Sequence, residues 1–227
     1  MARTEYEEAN NGDWKFSIIE SLSYGFAKTK KFFWVTLGLY VLVWLVQFVL
    51  GFVSNVLVGL TIHGTLEWLT IFVIAQALSL YVSVMLSLGW FRVFLAVLSG
   101  KAPALACFLD AKNHKYFWSL VGTNILFGLI FIVGLILCVI PGFVWLYTYM
   151  YAPLLVVDEK LSPTKALAAS RKLVAGQRLN LFVWSLVLIG INIIGTLCLG
   201  IGLLITVPTT YFASIYVYGK LTGKKIA

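Results

Sequence analysis

The chain has 227 residues, 61% of them hydrophobic and only 11% charged, with a formal net charge of +8. Soluble domains carry about 25% charged residues, and one water-soluble core of this size cannot hide such an apolar surplus. The composition excludes a soluble enzyme, a disordered chain and a disulfide scaffold, and points to an integral membrane protein.

Residues 1–31 read as a cytoplasmic N-terminal segment with an amphipathic helix. Asp13 is its candidate cap, and Trp14, Ile18, Leu22 and Phe26 follow at four-residue spacing. Five acidic residues and no short apolar stretch before a small-residue site argue against a cleaved signal. Residues 32–221 then contain four uncharged runs, at 32–66, 68–91, 116–157 and 179–219. A helical span takes about 20 apolar residues. The first two runs each fit one span. The last two fit two each, broken at Pro141-Gly142 and at Gly200 and Gly202. The expectation is an all-α polytopic protein with six spans near 33–60, 68–91, 117–139, 143–157, 180–198 and 203–219. Barrel strands would alternate apolar and polar residues, and these runs do not. Residues 222–227 form a basic tail.

All 17 Lys and Arg fall before 32, within 92–115 and 158–178, or after 219, and none in the connections at 61–67, 140–142 and 199–202. Basic residues stay on the cytoplasmic side. Each long run therefore crosses an even number of times, and both termini are expected in the cytoplasm of a prokaryotic cell, bounded by its inner membrane.

An internal repeat organises these spans. Lys28-Thr-Lys-Lys-Phe-Phe-Trp34 matches Lys112-Asn-His-Lys-Tyr-Phe-Trp118 at four of seven positions, and Arg178 to Trp184 is a looser third copy. Cys138–Leu161 aligns without gaps on Cys198–Leu221. Three parallel units result, each an amphipathic helix, a basic-aromatic boundary and a hairpin. The second amphipathic helix starts at Pro103. The third has Ser162 as cap, Pro163 at its first position, Leu167, Leu173 and Val174 on one side, Lys165, Arg171 and Lys172 on the other, and Gly176 as its stop. Trp68 and Trp90 lie 22 residues apart, roughly 33 Å along a helix, which places each near a bilayer boundary.

The chemistry-bearing residues are sparse. His63 belongs to an outer connection and His114 to a basic loop, and Asp158 and Glu159 end the fourth span. No nucleophile–base pair, metal cluster or membrane-depth charge is legible, so neither an enzyme nor a metal or other cofactor is expected. Cys138 and Cys198 occupy matching positions beside two outer turns, and the sequence leaves open whether they pair. Gly200-x-Gly202 follows no strand, so it signals no nucleotide site. Small and polar residues step by four along three spans: Gln47, Gly51, Asn55 and Gly59; Ala75, Ser79, Ser83 and Ser87; Thr206, Thr210 and Ser214. Close helix packing is their first reading, and a groove for a lipid headgroup or solute is the alternative. Lys28, Lys30, Lys31, Lys112, Lys115, Arg171, Lys172 and Arg178 sit beside aromatic or amphipathic segments and are candidates for anionic phospholipid headgroups, against a purely topological role.

The stretch Ile140-Pro-Gly-Phe, Ala152-Pro-Leu, Asp158-Glu-Lys and Lys165-Ala-Leu-Ala-Ala-Ser-Arg-Lys-Leu-Val-Ala-Gly-Gln-Arg178 resembles the YciC-like group of uncharacterised inner-membrane proteins. It is also similar to the membrane domain of some glycerophosphoryl diester phosphodiesterases. The resemblance implies a six-helix membrane domain of unknown activity and supplies no catalytic residue; the chain has no room for a phosphodiesterase domain. The sequence therefore points to a non-catalytic membrane protein that organises anionic lipids or membrane partners. A transporter or channel for a lipid or neutral solute is the alternative. Nucleic acid is not expected as a partner, and a protein partner or a second copy is left open.

Overall fold

The computed structural model describes residues 16–60, 65–106, 113–137, 139–198 and 202–224. They form eight helices: α1 (Ile18–Gly59), α2 (Leu66–Leu98), α3 (Asn113–Leu137), α4 (Val139–Tyr149), α5 (Ala152–Asp158), α6 (Pro163–Leu173), α7 (Arg178–Leu197) and α8 (Leu203–Leu221). The chain is an all-α membrane protein with several long apolar helices. Among the described residues four are long and apolar enough to cross a bilayer: α1, α2, residues 115–134 of α3, and α7.

The helix ends follow local chemistry. Ser17 caps α1 by accepting from the Glu20 N–H at 3.4 Å, and Thr65 caps α2 by accepting from the Trp68 N–H at 3.1 Å. Ser162 and Pro163 open α6 as their order predicts. Gly223, at φ +67°, ends α8 in a turn where Lys224 N–H reaches the Gly219 carbonyl at 3.0 Å, the geometry that favours glycine after a helix.

Several expectations are corrected. Asp13 and Trp14 lie outside the described residues, and α1 starts after Ser17. It runs without a loop through Phe32, where φ −112° and ψ 18° mark a kink. Residues 33–59 then extend roughly 40 Å as the spanning part. Phe26 is exposed, and α1 buries Ser21, Gly25 and Thr29 instead. The turn at 140–142 is absent, because α4 already begins at Val139. Pro141 falls in its first turn, where a missing N–H breaks no helix bond. The fourth span is split at Met150 and Tyr151, just ahead of Pro153, which cannot donate to the Tyr149 carbonyl. Pro208, by contrast, sits within an unbroken α8.

The sixth expected span, 203–219, is a continuous helix but not one of the four apolar ones. Its Thr and Tyr residues dilute its apolarity because it is the central helix of the bundle. Pro208, Thr209, Thr210, Phe212, Ala213 and Ile215 are all buried. Its contact with α1 is the most extensive between any two helices, and it also meets α2 and α7. The three expected units accordingly differ: long α1 and α2, the broken α3–α4–α5 unit, and α7 with the interior α8.

The core gathers at the end of the bundle that carries the basic residues. Phe16 joins Phe94 and Val97 of α2, Ala152 and Leu155 of α5, Ala166 of α6, Trp184 of α7 and Phe212 of α8. The far halves of α1, α2, α3 and α7 present large apolar side chains outward, as at Phe52, Ile74, Ile136 and Ile194.

Candidate functional site

The two amphipathic faces of α6 determine where its charges go. Ala166, Leu167, Ser170 and the following Val174 are buried, while Lys165, Arg171 and Lys172 are exposed. The buried Ser170 hydroxyl donates to the Thr148 carbonyl of α4 at 2.9 Å. That carbonyl lies within the last turn before the break at Met150, where helix carbonyls lack intrahelical partners. The break in the fourth span thus creates an acceptor that fastens α6 to α4. Ser170 precedes Arg171, so the same bond positions Arg171.

Arg171 and Arg178 meet at a cavity of about 490 Å³ between α3, α4, α6 and α7. Leu129, Ile130 and Val133 of α3 form one wall, and Val144 and Trp145 of α4 another. Thr148 and Tyr149 complete the lining beside the two guanidiniums. Thr148 spends its hydroxyl on the Val144 carbonyl at 2.6 Å. Arg171 and Arg178 are both exposed, and among the described residues no carboxylate lines the cavity and neither arginine has a carboxylate partner. Arg178 is the first residue of α7, whose cap Gln177 makes no side-chain bond to the helix backbone; its amide oxygen accepts from Asn180 Nδ2 at 2.8 Å. The positive end of α7 therefore adds to the two cations.

The other candidate cations are dispersed. Lys28 lies 5.2 Å over the Tyr24 ring and Lys31 5.4 Å over Phe32. Lys30, Lys115 and Lys172 are exposed, and Lys112 lies outside the described residues. Thus the structure brings together Arg171 and Arg178 of the eight basic candidates. Lys220 and Lys224 are committed elsewhere. Lys224 and the Tyr218 hydroxyl both bind the Asp158 carboxylate, and the Tyr216 hydroxyl binds Glu20, with Lys220 3.6 Å away. These two clusters tie the end of α8 to α5 and α1. Beside them, burial pushes the half-buried Glu159 carboxyl above its usual range, against the opposing pull of Lys224.

Of the small-residue stripes, two meet: Gln47 Nε2 donates to Ser83 Oγ at 2.9 Å, joining α1 to α2. Ala75 is buried and Ser79 half-buried. Ser87 donates to the Ser83 carbonyl, and Asn55 to that of Gly51. A Cβ added at Gly51 or Gly59 would meet nothing within 4 Å among the described residues. On α8, Thr206 abuts Gly195 of α7, while Thr210 and Ser214 donate to their own helix. Cys198 is exposed, and its expected counterpart Cys138 lies outside the described residues.

Sequence reasoning missed one closely packed stripe. Ser21, Gly25 and Thr29 also step by four. Ser21 accepts from Trp184 Nε1 at 3.1 Å, and Thr29 accepts from Thr209 Oγ1 at 3.2 Å. It also missed Trp145 and Ser170. The legible signal for Ser170 was a hydroxyl in line with Ala166, Leu167 and Val174.

The chain is 26% identical over 132 residues to three uncharacterised mycobacterial proteins: Rv2560 of Mycobacterium tuberculosis strain H37Rv, MT2637 of M. tuberculosis strain CDC 1551 and Mb2590 of Mycobacterium bovis. Each match covers 58% of this chain and 40% of the relative, so the chain spans about two-fifths of the length of these relatives. No family model and no solved structure matches. Among the described residues no three His, Cys, Asp or Glu lie where they could hold a metal ion.

Proposed function

We propose that this is a non-catalytic, multi-pass protein of a prokaryotic cytoplasmic membrane that holds an anionic phospholipid between α3, α4, α6 and α7. The observation that carries the reading is the joining of two arginines, which have no carboxylate partner among the described residues, to an apolar cavity. Arg171 and Arg178 are both exposed at the mouth of the cavity, where guanidiniums can recognise phosphate through paired hydrogen bonds. An acyl chain suits Leu129, Val133 and Val144, and the headgroup suits Arg171 and Arg178. In this reading α4 and α5 together form one broken crossing and α8 the sixth. The three repeat units are parallel, and the basic end faces the cytoplasm.

Native mass spectrometry from nanodiscs of mixed phosphatidylglycerol and phosphatidylcholine tests the binding. Preferential retention of phosphatidylglycerol should fall to bilayer proportions in R171Q/R178Q at unchanged melting temperature. Retention unaffected by both substitutions contradicts the proposal. Orientation is checked by labelling intact cells from outside: Thr65→Cys should react and Lys165→Cys should not.

A further inference from the structure

Resting on the lipid-binding reading above, we infer that the cavity selects a phosphomonoester headgroup, a dianion, over the singly charged phosphodiester of most anionic lipids. The argument is charge matching by two exposed guanidiniums at the mouth of an apolar cavity. Among the described residues two guanidiniums line the cavity and no carboxylate does. Arginine keeps its proton throughout the accessible pH range, so the site carries two fixed positive charges. A phosphodiester carries one negative charge and so matches only one of the two guanidiniums. A phosphomonoester carries close to two near neutrality and offers three oxygens, enough for one fork from each arginine. The Tyr149 hydroxyl, for which the described residues supply no partner, is a further donor on the same lining. Zwitterionic headgroups are disfavoured twice: their ammonium meets two like charges, and no carboxylate among the described lining residues receives it.

The test uses the full chain in phosphatidylcholine nanodiscs doped equally with phosphatidic acid and phosphatidylglycerol, read by native mass spectrometry at pH 8 and pH 5. The second ionisation of a phosphomonoester lies near pH 6, between the two conditions. Phosphatidic acid should be retained roughly fivefold over phosphatidylglycerol at pH 8, about the worth of one extra charge, and the two should be near parity at pH 5. The wild-type comparison requires no variant to fold. R171K/R178K should keep part of the preference, and R171Q/R178Q should abolish it. Equal, arginine-dependent retention of both lipids at both pH values overturns this inference and leaves the lipid-binding reading standing. Retention of neither above phosphatidylcholine overturns both. Inorganic phosphate that competes as well as phosphatidic acid moves the site to a soluble phosphate and overturns the lipid assignment.

Discussion

The basic end of the bundle and its far halves pack in opposite ways. At the basic end Trp184 is 1% exposed and Leu155 and Phe212 are fully buried; in the far half of α1, Phe52 is 62% exposed. What distinguishes the regions is where small and hydroxyl side chains are buried between helices. Ser21, Thr29, Thr36, Thr148, Ser170 and Thr209 are all buried. In a bilayer the lipid chains are as apolar as leucine, so close backbone approach and interhelical hydrogen bonds decide which faces associate. The candidate lipid site lies where the two regimes meet, with α6 fastened by Ser170 and the apolar walls of α3 and α4 left open.

The largest expected effect is on the packed side. Trp184 stands edge-on to Phe16 at 6.3 Å and donates to Ser21. Trp184→Ala should cost about 3–5 kcal/mol, read as a large drop in melting temperature in detergent. Phe52→Ala, with its ring already exposed, should leave that temperature nearly unchanged. Equal losses at both positions would erase the contrast between the regions.

Two glycines sharpen it. A Cβ at Gly25 would lie 2.5 Å from the Thr209 carbonyl oxygen, whereas one at Gly51 would meet nothing within 4 Å. Gly25→Ala should destabilise by about 1–3 kcal/mol. Gly51→Ala should be neutral or stabilise by up to about 1 kcal/mol through helix propensity. The same melts check both.

Smaller effects follow at the margins. Glu159 has its folded-state pKa raised by burial. Its contribution is therefore full below the pKa of an unfolded glutamate and declines as pH rises through the folded value. Glu159→Gln should raise stability at neutral pH and change little at pH 4, measured as melting temperature against pH. Smallest of all, Ser83→Ala removes the acceptor of Gln47 and should cost about 0.6 kcal/mol, the average for such bonds between membrane helices.

The spans of α1, α2, α3 and α7 were legible because uncharged runs of that length have few alternatives. Arg171 and Arg178 were legible as basic residues beside a helix boundary. Their convergence was not, since it depends on the break before Pro153 and the bond from Ser170 to Thr148, which join positions 22 residues apart. The interior position of α8 was hidden for a related reason. Apolar pattern separates membrane from water, but it does not separate a lipid-facing helix from a central one. The Thr and Tyr content of 203–219 carried that information, as did Ser21, Gly25 and Thr29 in a segment searched only for an apolar face.

The most direct measurement of the central claim is crosslinking by phosphatidylglycerol carrying a photoreactive group on its acyl chain, mapped residue by residue in nanodiscs. Adducts should concentrate at Val133, Val144 and Trp145 and fall to background there in R171Q/R178Q, while those at Phe48, Phe52 and Ile193 persist. Uniform labelling of cavity and outer faces, unchanged by removal of both arginines, would contradict the account.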